Sequence, residues 1–355
     1  MLAQEAPLAP VWGQRPVLRW EGQVSWQLSV LDAPTGANQT GSELRRARVA
    51  FETDLAEGLD FRAEVDFMDF GDHGAGWRDL FVRWRGRTEV RIGHQKMPYS
   101  FRSMLRREAQ PLIERDIVLG PNRELGLVWT DAAQAYTWQV GAALFTDPGL
   151  NATRDEWVFG RAVWRPWLEE NGARLLHLGA GVLRFDNPSF LIQSRSSGSL
   201  RRLEAPIVFG ALAAEDPDLV AVELVWQHER AHAVLEHSTV AGDFNRFRLF
   251  SAEAAWRLSE DFRPYDPVNA VWAPLVPQVG LHEGGMGAWE LAARVDRVSL
   301  DGGRGNEDQA LSSYTLGLQW FPRGDLVLKF NLVQVDGGPF DDRYRAAVFE
   351  TGLLL

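Results

Sequence analysis

Two stretches of this chain could do chemistry. The first is VRIGHQKMPYSFRSMLRREAQPLIER, residues 90–115. It carries Arg91, Arg102, Arg106, Arg107 and Arg115, with Glu108 and Glu114 among them. A guanidinium binds oxyanions through a planar fork and keeps its charge at every working pH, so the chemistry on offer is anion binding. The second is His228-Glu229-Arg230-Ala231-His232, a literal H-E-x-x-H. On a helix that spacing turns two imidazoles onto one face for zinc, with the glutamate as general base of a metallopeptidase. Its flanks, Val220–Trp226 and Ala233–Glu236, instead alternate or lean β-branched, and His-Glu-Arg-Ala falls where a tight turn is expected. On a turn the histidines need not converge, so neither metal nor catalytic residue is expected here, and zinc hydrolysis is kept as the alternative of another class. His73, His94, His177, His237 and His282 have no ligand spacing, and Asp301–Gly305 reads as a loop. There is no phosphate-loop, nucleophile-elbow or EF-hand pattern, and no cofactor is implied.

The elements around the basic segment are strands. In Leu44–Leu55, Ala47, Val49, Phe51 and Leu55 take one face, and Arg46, Arg48 and Glu52 the other. In Leu59–Met68, Leu59, Phe61, Ala63, Val65 and Phe67 oppose Asp60, Arg62, Glu64 and Asp66. Leu80, Val82 and Trp84 oppose Arg83 and Arg85 in the same way. This period of two places side chains on opposite faces of a strand. After Met97-Pro98 the alternation stops, and residues 96–122 are expected to fold inward as a constriction. Further strands read near 124–130, 135–145, 157–165, 175–185, 220–227, 231–240, 247–258, 288–295, 314–321, 326–335 and 345–355.

Short and long connections alternate, the pattern of short periplasmic turns and long external loops. With both ends of the chain on the periplasmic side the strand number is even. Placing residues 201–211 in a long external loop gives about 16 strands, with 18 as the alternative. Residues 260–285 then form an unusually long periplasmic connection. Residues 1–16 read as a Pro-rich tail and 17–355 as one barrel domain.

The two faces fix the environment. One is Leu, Val, Phe, Trp and Ala. The other carries Arg46, Arg48, Arg62, Arg83, Arg91, Arg161, Arg257, Arg294 and Lys329, with Glu52, Glu64, Asp66, Glu223 and Glu290. About 16 strands enclose an aqueous lumen that charge can line. Tryptophan is abundant, 15 residues against 5 Tyr, and Trp84, Trp129, Trp164, Trp226 and Trp320 fall near strand ends on the apolar face, as at a membrane interface. No run of about 18 apolar residues exists, so helical spans are excluded. The net charge of −11 argues against nucleic acid as a partner. Cysteine is absent. MLAQEAPLAP has neither basic nor apolar leader regions, so a mature N-terminus with an added Met is expected. The reading is an all-β, antiparallel outer-membrane barrel. Alternatives are a sugar or general diffusion pore of the same fold and a soluble β-structured binding protein. Sugar pores use aromatic tracks in the lumen, whereas most Trp here take the opposite parity.

At Ser42–Leu55, Leu59–Phe67, Arg91–Phe101, Ile113–Ile117, Arg123–Leu127, Phe262–Asp266 (FRPYD), Gly287–Arg294 and Tyr314–Pro322 the sequence resembles the phosphate-selective porin O and P family. The pieces spread over most of the chain in family order. The resemblance implies a homotrimer of 16-stranded barrels in the Gram-negative outer membrane, in contact with its lipid and lipopolysaccharide. Each pore has an inward loop, here Lys96–Asn122, and an arginine-lined path for small anions such as phosphate or polyphosphate. The family's early arginine pair falls on Arg45 and Arg46. The expected path is Arg45, Arg46, Arg48, Arg62, Arg83, Arg91, Arg102, Arg106, Arg107 and Arg115, with Glu108 and Glu114 bracing the loop. This chain departs from the family in mixing many carboxylates with the arginines and in ending Gly352-Leu353-Leu354-Leu355 without a terminal aromatic residue.

Overall fold

A computed structural model of the chain describes residues 18–32, 39–70, 75–113, 123–144, 156–185, 189–195, 206–213, 218–241, 246–301, 309–337 and 343–355. The expected tail (1–16) and residues 114–122 of the expected inward loop, with Glu114 and Arg115, lie outside them.

The strands are β1 (Leu18–Asp32), β2 (Gln39–Ala56), β3 (Leu59–Phe70), β4 (Ala75–Arg85), β5 (Glu89–Lys96), β6 (Arg123–Ala132), β7 (Tyr136–Leu144), β8 (Glu156–Glu169), β9 (Arg174–Phe185) and β10 (Ser189–Arg195). The second half of the chain forms β11 (Pro206–Ala213), β12 (Asp218–His228), β13 (Ala231–Ala241), β14 (Arg246–Arg257), β15 (Tyr265–Asp266), β16 (Val271–Trp272), β17 (Ala288–Asp301), β18 (Gln309–Arg323), β19 (Leu326–Gly337) and β20 (Arg343–Leu354). Sixteen of them close into one antiparallel barrel, each beside its sequence neighbour in the wall, with β1 paired to β20 from Gln23↔Leu354 to Asp32↔Arg345. The remaining four make two small hairpins, β10–β11 and β15–β16. Residues 206–213 therefore belong to the long connection between β9 and β12, and the barrel has 16 strands rather than 18.

The alternation decides which face is which. Along β1, Trp20, Val24, Trp26 and Val30 are exposed while Ser25, Gln27 and Ser29 are buried. Along β12, Val220, Val222 and Trp226 point out while Glu223 and Gln227 point in. A water-soluble barrel would have the opposite arrangement. Apolar outside and charged inside is the lipid-facing pattern, and closure leaves no unpaired edge in hydrocarbon. The tight turns, such as Glu57-Gly58 and Gly324-Asp325, all lie at one end with the termini of β1 and β20.

The lumen is not empty. After β5, residues 97–113 touch inward-facing side chains of β12, β13, β19 and β20. They include the one-turn helix α1 (Phe101–Met104), closed by a reciprocal Ser100–Ser103 capping box. A second segment comes from the turn end. The β14–β17 connection carries β15 and β16 into the barrel, where Tyr265, Val271 and Trp272 are buried with Phe101 and Met104. The sequence places residues 260–285 in a long periplasmic connection; the structure turns its first half inward.

Gly181 on β9 seats the first insert, since a Cβ there would collide with the Tyr99 carbonyl oxygen. Gly181→Ala is therefore expected to unseat residues 97–105, costing about 1–3 kcal/mol as an overpacked contact. Denaturant unfolding in detergent measures the loss, and altered channel current with an intact heat-modifiable barrel locates it.

Candidate functional site: the lumen and its two inserts

Two buried carboxylates hold the inserts. Glu223 on β12 accepts hydrogen bonds from Arg161 of β8 at 2.7 and 3.0 Å and lies 2.9 Å from His177 of β9. It also accepts the backbone N–H of Phe101. His177 meets the Tyr265 hydroxyl at 2.8 Å, and Arg161 donates to the carbonyls of Asn269 and Ala270 at 3.1 and 3.0 Å. One carboxylate thus ties both inserts to the wall. Burial pushes the Tyr265 phenol up, so it remains a neutral hydroxyl. Glu290 on β17 does similar work. It binds Arg263 at 2.7 Å and Arg257 at 3.2 Å, and Arg263 donates to the Ala109 carbonyl of the other insert at 2.8 Å. Lys329 donates to the Gln110 carbonyl at 2.7 Å, and Arg107 pairs with Glu350 at 2.7 Å. Where the inserts meet, Phe101 sits edge-on to Trp272, ring centroids 5.1 Å apart.

With that side of the barrel filled, a cavity of about 680 Å³ remains against the wall of β1–β6. The inserts supply its other side through Met104, Arg106–Glu108, Gln110, Asp266, Asn269 and Val271–Pro274. Eleven cationic side chains line it against seven acidic ones. Register separates them into two levels. Towards the long-loop end are Arg45, Arg46, Arg48, Arg78, Lys96 and Arg123, joined by Arg106 and Arg107, against Glu64, Asp66, Asp79 and Glu108. Towards the turn end Arg62, Arg83 and Arg91 face Glu21, Glu52 and Asp266, in balance.

Two bulges enrich the cationic level. The β1–β2 register passes from Ser25↔Arg46 to Trp26↔Leu44, so the ladder skips Arg45. The β3–β4 register passes from Glu64↔Asp79 to Val65↔Trp77, so the ladder skips Arg78. An extra residue re-phases the strand. Arg45 and Arg46 thus both reach the cavity while Leu44 stays outside, and Arg78 and Asp79 do so while Trp77 stays outside.

Most of these charges are paired. Arg46 contacts Glu350 at 3.1 Å, Arg48 contacts Asp66 at 2.7 Å and Arg123 contacts Asp79 at 2.7 Å. Arg62 lies 3.0 Å from Glu21 and 3.2 Å from Glu64. Arg83 lies 2.9 Å from Asp60 and 3.1 Å from Glu52. Arg91 reaches Glu89 at 2.5 Å and Asn269 at 2.7 Å. Arg106 differs: its exposed guanidinium makes no ion pair or hydrogen bond with a described residue. Glu108 lines the cavity beside it. Burial alone would raise that carboxyl, but Arg48, its own backbone N–H, Arg106 and Lys96 hold it down at about 2.

Of the residues singled out from the sequence, Arg45, Arg46, Arg48, Arg62, Arg83, Arg91, Arg106, Arg107 and Glu108 come together on the cavity. Arg102 does not. Helix α1 turns it to the opposite wall, where it is buried and lies 3.6 Å from Glu253 of β14. Sequence reading missed Arg78, Arg123 and the second insert. The FRPYD piece holds three of that insert's lumen residues, Arg263, Tyr265 and Asp266, and was the one signal inside the overlong connection. The H-E-x-x-H residues sit on a hairpin. His228 ends β12 and His232 lies in β13, with Glu229 at φ 50 in the turn. His228 stacks on the outward Trp226 while His232 is buried in the lumen against Trp272. The wall separates the imidazoles, so they cannot share a zinc ion.

A closed sixteen-stranded barrel with an apolar exterior, a charged lumen and tight turns at one end defines a porin-type channel of the outer membrane. Residues 18–338 match the family model for phosphate-selective porin O and P, and the chain belongs to that family. An uncharacterized protein of Caulobacter vibrioides is 24% identical over 352 residues, covering 89% of this chain and 68% of that protein. Among solved structures, the outer membrane channel DcaP of Acinetobacter baumannii matches with TM-score 0.61 at 11% identity, covering 95% of this chain and 97% of that one. An anion-selective porin from Comamonas acidovorans matches with TM-score 0.59 at 13% identity, covering 96% and 100%. OmpT of Vibrio cholerae, in its trimer form, matches with TM-score 0.58 at 12% identity, covering 96% and 100%. At these identities the likeness is one of fold.

Glu223→Ala is expected to leave the Arg161 guanidinium buried without its carboxylate and to free the Phe101 N–H. The loss should be about 3–5 kcal/mol, as for a broken buried pair. Denaturant unfolding of the detergent-solubilised protein measures it; a loss below about 1 kcal/mol would show that Glu223 is not an anchor.

Proposed function

We propose that the channel conducts small anions, phosphate or polyphosphate among them, past the arginines of its long-loop half. The observation that carries this is the sign of the cavity. A chain of net charge −11 lines its water path with eleven cations against seven carboxylates, and the excess lies at one level. An anion entering there exchanges hydration for guanidinium hydrogen bonds. Conduction needs that binding to stay weak and spread over several sites. The carboxylates serve this by holding Arg46, Arg48, Arg62 and Arg83 in place while sharing their charge. Arg106, which pairs with no described residue, is the group best placed to meet the ion, and Arg45, Arg107 and Lys96 line the same cavity. Arg91 lies at the balanced level with Asn269, and Arg102 braces α1.

The extensive pairing favours one competing reading, a weakly selective diffusion pore. A sugar pore has less support, since the aromatic rings on the cavity are Phe81 and Trp272 alone among the described residues. Assembly as a homotrimer in contact with lipopolysaccharide accords with the family and remains a proposal.

The reversal potential of the purified protein in a planar bilayer under a dilute KCl gradient tests the reading. Anion selectivity with block by added phosphate is expected. A cation-selective current would refute it, and an unselective one would leave the diffusion pore. Arg106→Ala should lower the anion-to-cation permeability ratio about sevenfold, the effect of one unit charge acting at roughly 7 Å through water, which disfavours the anion and favours the cation by about 2.7-fold each. High salt should erase the difference.

Glu108→Gln should act in the opposite sense, raising that ratio by about the same factor through loss of one negative charge. A carboxyl held down at about 2 stays ionised well below the ordinary glutamate value of about 4.3. The gain from Glu108→Gln should therefore be equal at pH 7 and pH 4, read from paired reversal potentials. A gain that vanishes by pH 4 would show that Glu108 titrates normally.

A further inference from the structure

The β14–β17 connection has two halves of different character. Its first half lies in the lumen, held by Arg263, Tyr265 and Trp272. Leu275 then closes over the turn end of the barrel, buried against Ala288, Phe321 and Val327. Beyond it the chain leaves the lumen and presents Val276, Val279, Leu281 and Met286, which are 57, 52, 53 and 75% exposed. The segment's polar groups are largely turned to its own backbone. The Gln278 N–H donates to Asp261 at 2.6 Å, the Gly280 N–H to Glu283 at 2.8 Å, and the Gly285 N–H to the Gly280 carbonyl at 3.0 Å. Gln278, His282 and Glu283 are also exposed, and the other large side chains turned to the surroundings are these four aliphatic ones. Burying one such side chain is worth about 1.5–3 kcal/mol, so four left open to water would be a standing loss.

Their place in the fold says what covers them. The Met286 carbonyl accepts the indole N–H groups of Trp289 and Trp320 at 3.2 and 2.8 Å. These two rings stack 5.0 Å apart on the outward faces of β17 and β18, at the turn end. Exposed Leu258 and Leu291 continue the same apolar belt. Paired tryptophans with bonded N–H groups mark a membrane–water boundary, and the segment is stitched to that boundary through Met286. Four aliphatic side chains also cover far less than the roughly 800 Å² per partner of a specific protein interface.

We propose that Val276, Val279, Leu281 and Met286 form a membrane-interface surface that dips into the headgroup–acyl boundary of the inner leaflet, with phospholipid as its partner. The connection is then held at both ends, by lipid outside and by the Glu223 and Glu290 networks inside. This is independent of which solute the channel carries.

The chain has no cysteine, so Leu281→Cys and Met286→Cys each create a unique site for an environment-sensitive fluorophore. Glu57→Cys, on the exposed β2–β3 turn at the same end, is the comparison. Each labelled protein is reconstituted into phosphatidylcholine–phosphatidylglycerol vesicles, plain or with the lipid brominated near the headgroup. Labels at 281 and 286 should shift to the blue and lose intensity in brominated vesicles, while the label at 57 does neither. Equal behaviour at all three positions would overturn the proposal. Disulfide cross-linking of Leu281→Cys between copies, without lipid quenching, would overturn it in favour of a second copy. Heat-modifiable migration confirms the barrel in each variant, and Met286, the most exposed of the four, carries the test if Leu281→Cys fails to fold.

Discussion

Hydrocarbon offers a peptide group nothing to hydrogen-bond, so every backbone N–H and C=O in the spanning region must find its partner in the wall. For strands that is met by closure, and the β1–β20 pairing is where this chain achieves it. Closure constrains both faces of the wall. Side chains must alternate between lipid and lumen, so Trp20, Val24 and Trp26 face out while Ser25 and Gln27 face in. Sixteen strands enclose more space than wall side chains can fill. The interior is therefore settled by two inserted segments and by water.

An insert inside a polar lumen needs anchors that compete with hydration. Buried carboxylates supply them here because each is met by several donors at once. Glu223 accepts from Arg161 and the Phe101 amide and faces His177. Glu290 accepts from Arg263, Arg257 and Gln319. A buried charge pair gives little net stability relative to an apolar packing, yet removing one member leaves the other stranded. The networks therefore act less as a store of energy than as a specification of position. They decide that the inserts lie against the wall from β8 round to β20 and that the open cavity lies against β1–β6.

Alternation made the barrel legible from sequence. Arg46, Arg48, Arg62 and Arg83 could be assigned to one face because their neighbours Val49, Phe51, Phe61 and Val82 need the other. Strict alternation then fails at Arg45 and Arg78, which it would send to the lipid. Each is the extra residue of a bulge, and a bulge is a property of two paired strands that neither shows alone. Arg45 was reached only through the family resemblance. The inward course of residues 261–274 was hidden for a related reason. Its partners, Arg161, His177, Glu290 and Ala109, come from distant parts of the chain, and the connection has no periodicity of its own. Arg102 was misplaced because the wall a one-turn helix faces depends on where that helix is anchored.

Net charge and lumen charge are separate quantities. The chain totals −11, yet its cavity carries more cations than anions. A permeating ion responds to the field within about a Debye length, roughly 8 Å at physiological ionic strength, and a low-dielectric wall concentrates that field along the lumen. Among the residues lining the cavity the two levels differ, a cationic excess towards the long loops and balance towards the turns. On the proposed reading, an anion arriving from outside meets attraction first and then a level where each guanidinium is matched by a carboxylate. That order draws the ion in without giving it a deep well from which it could not leave. On that reading the carboxylates that weaken the pore's charge also keep its hold on an anion weak enough for release.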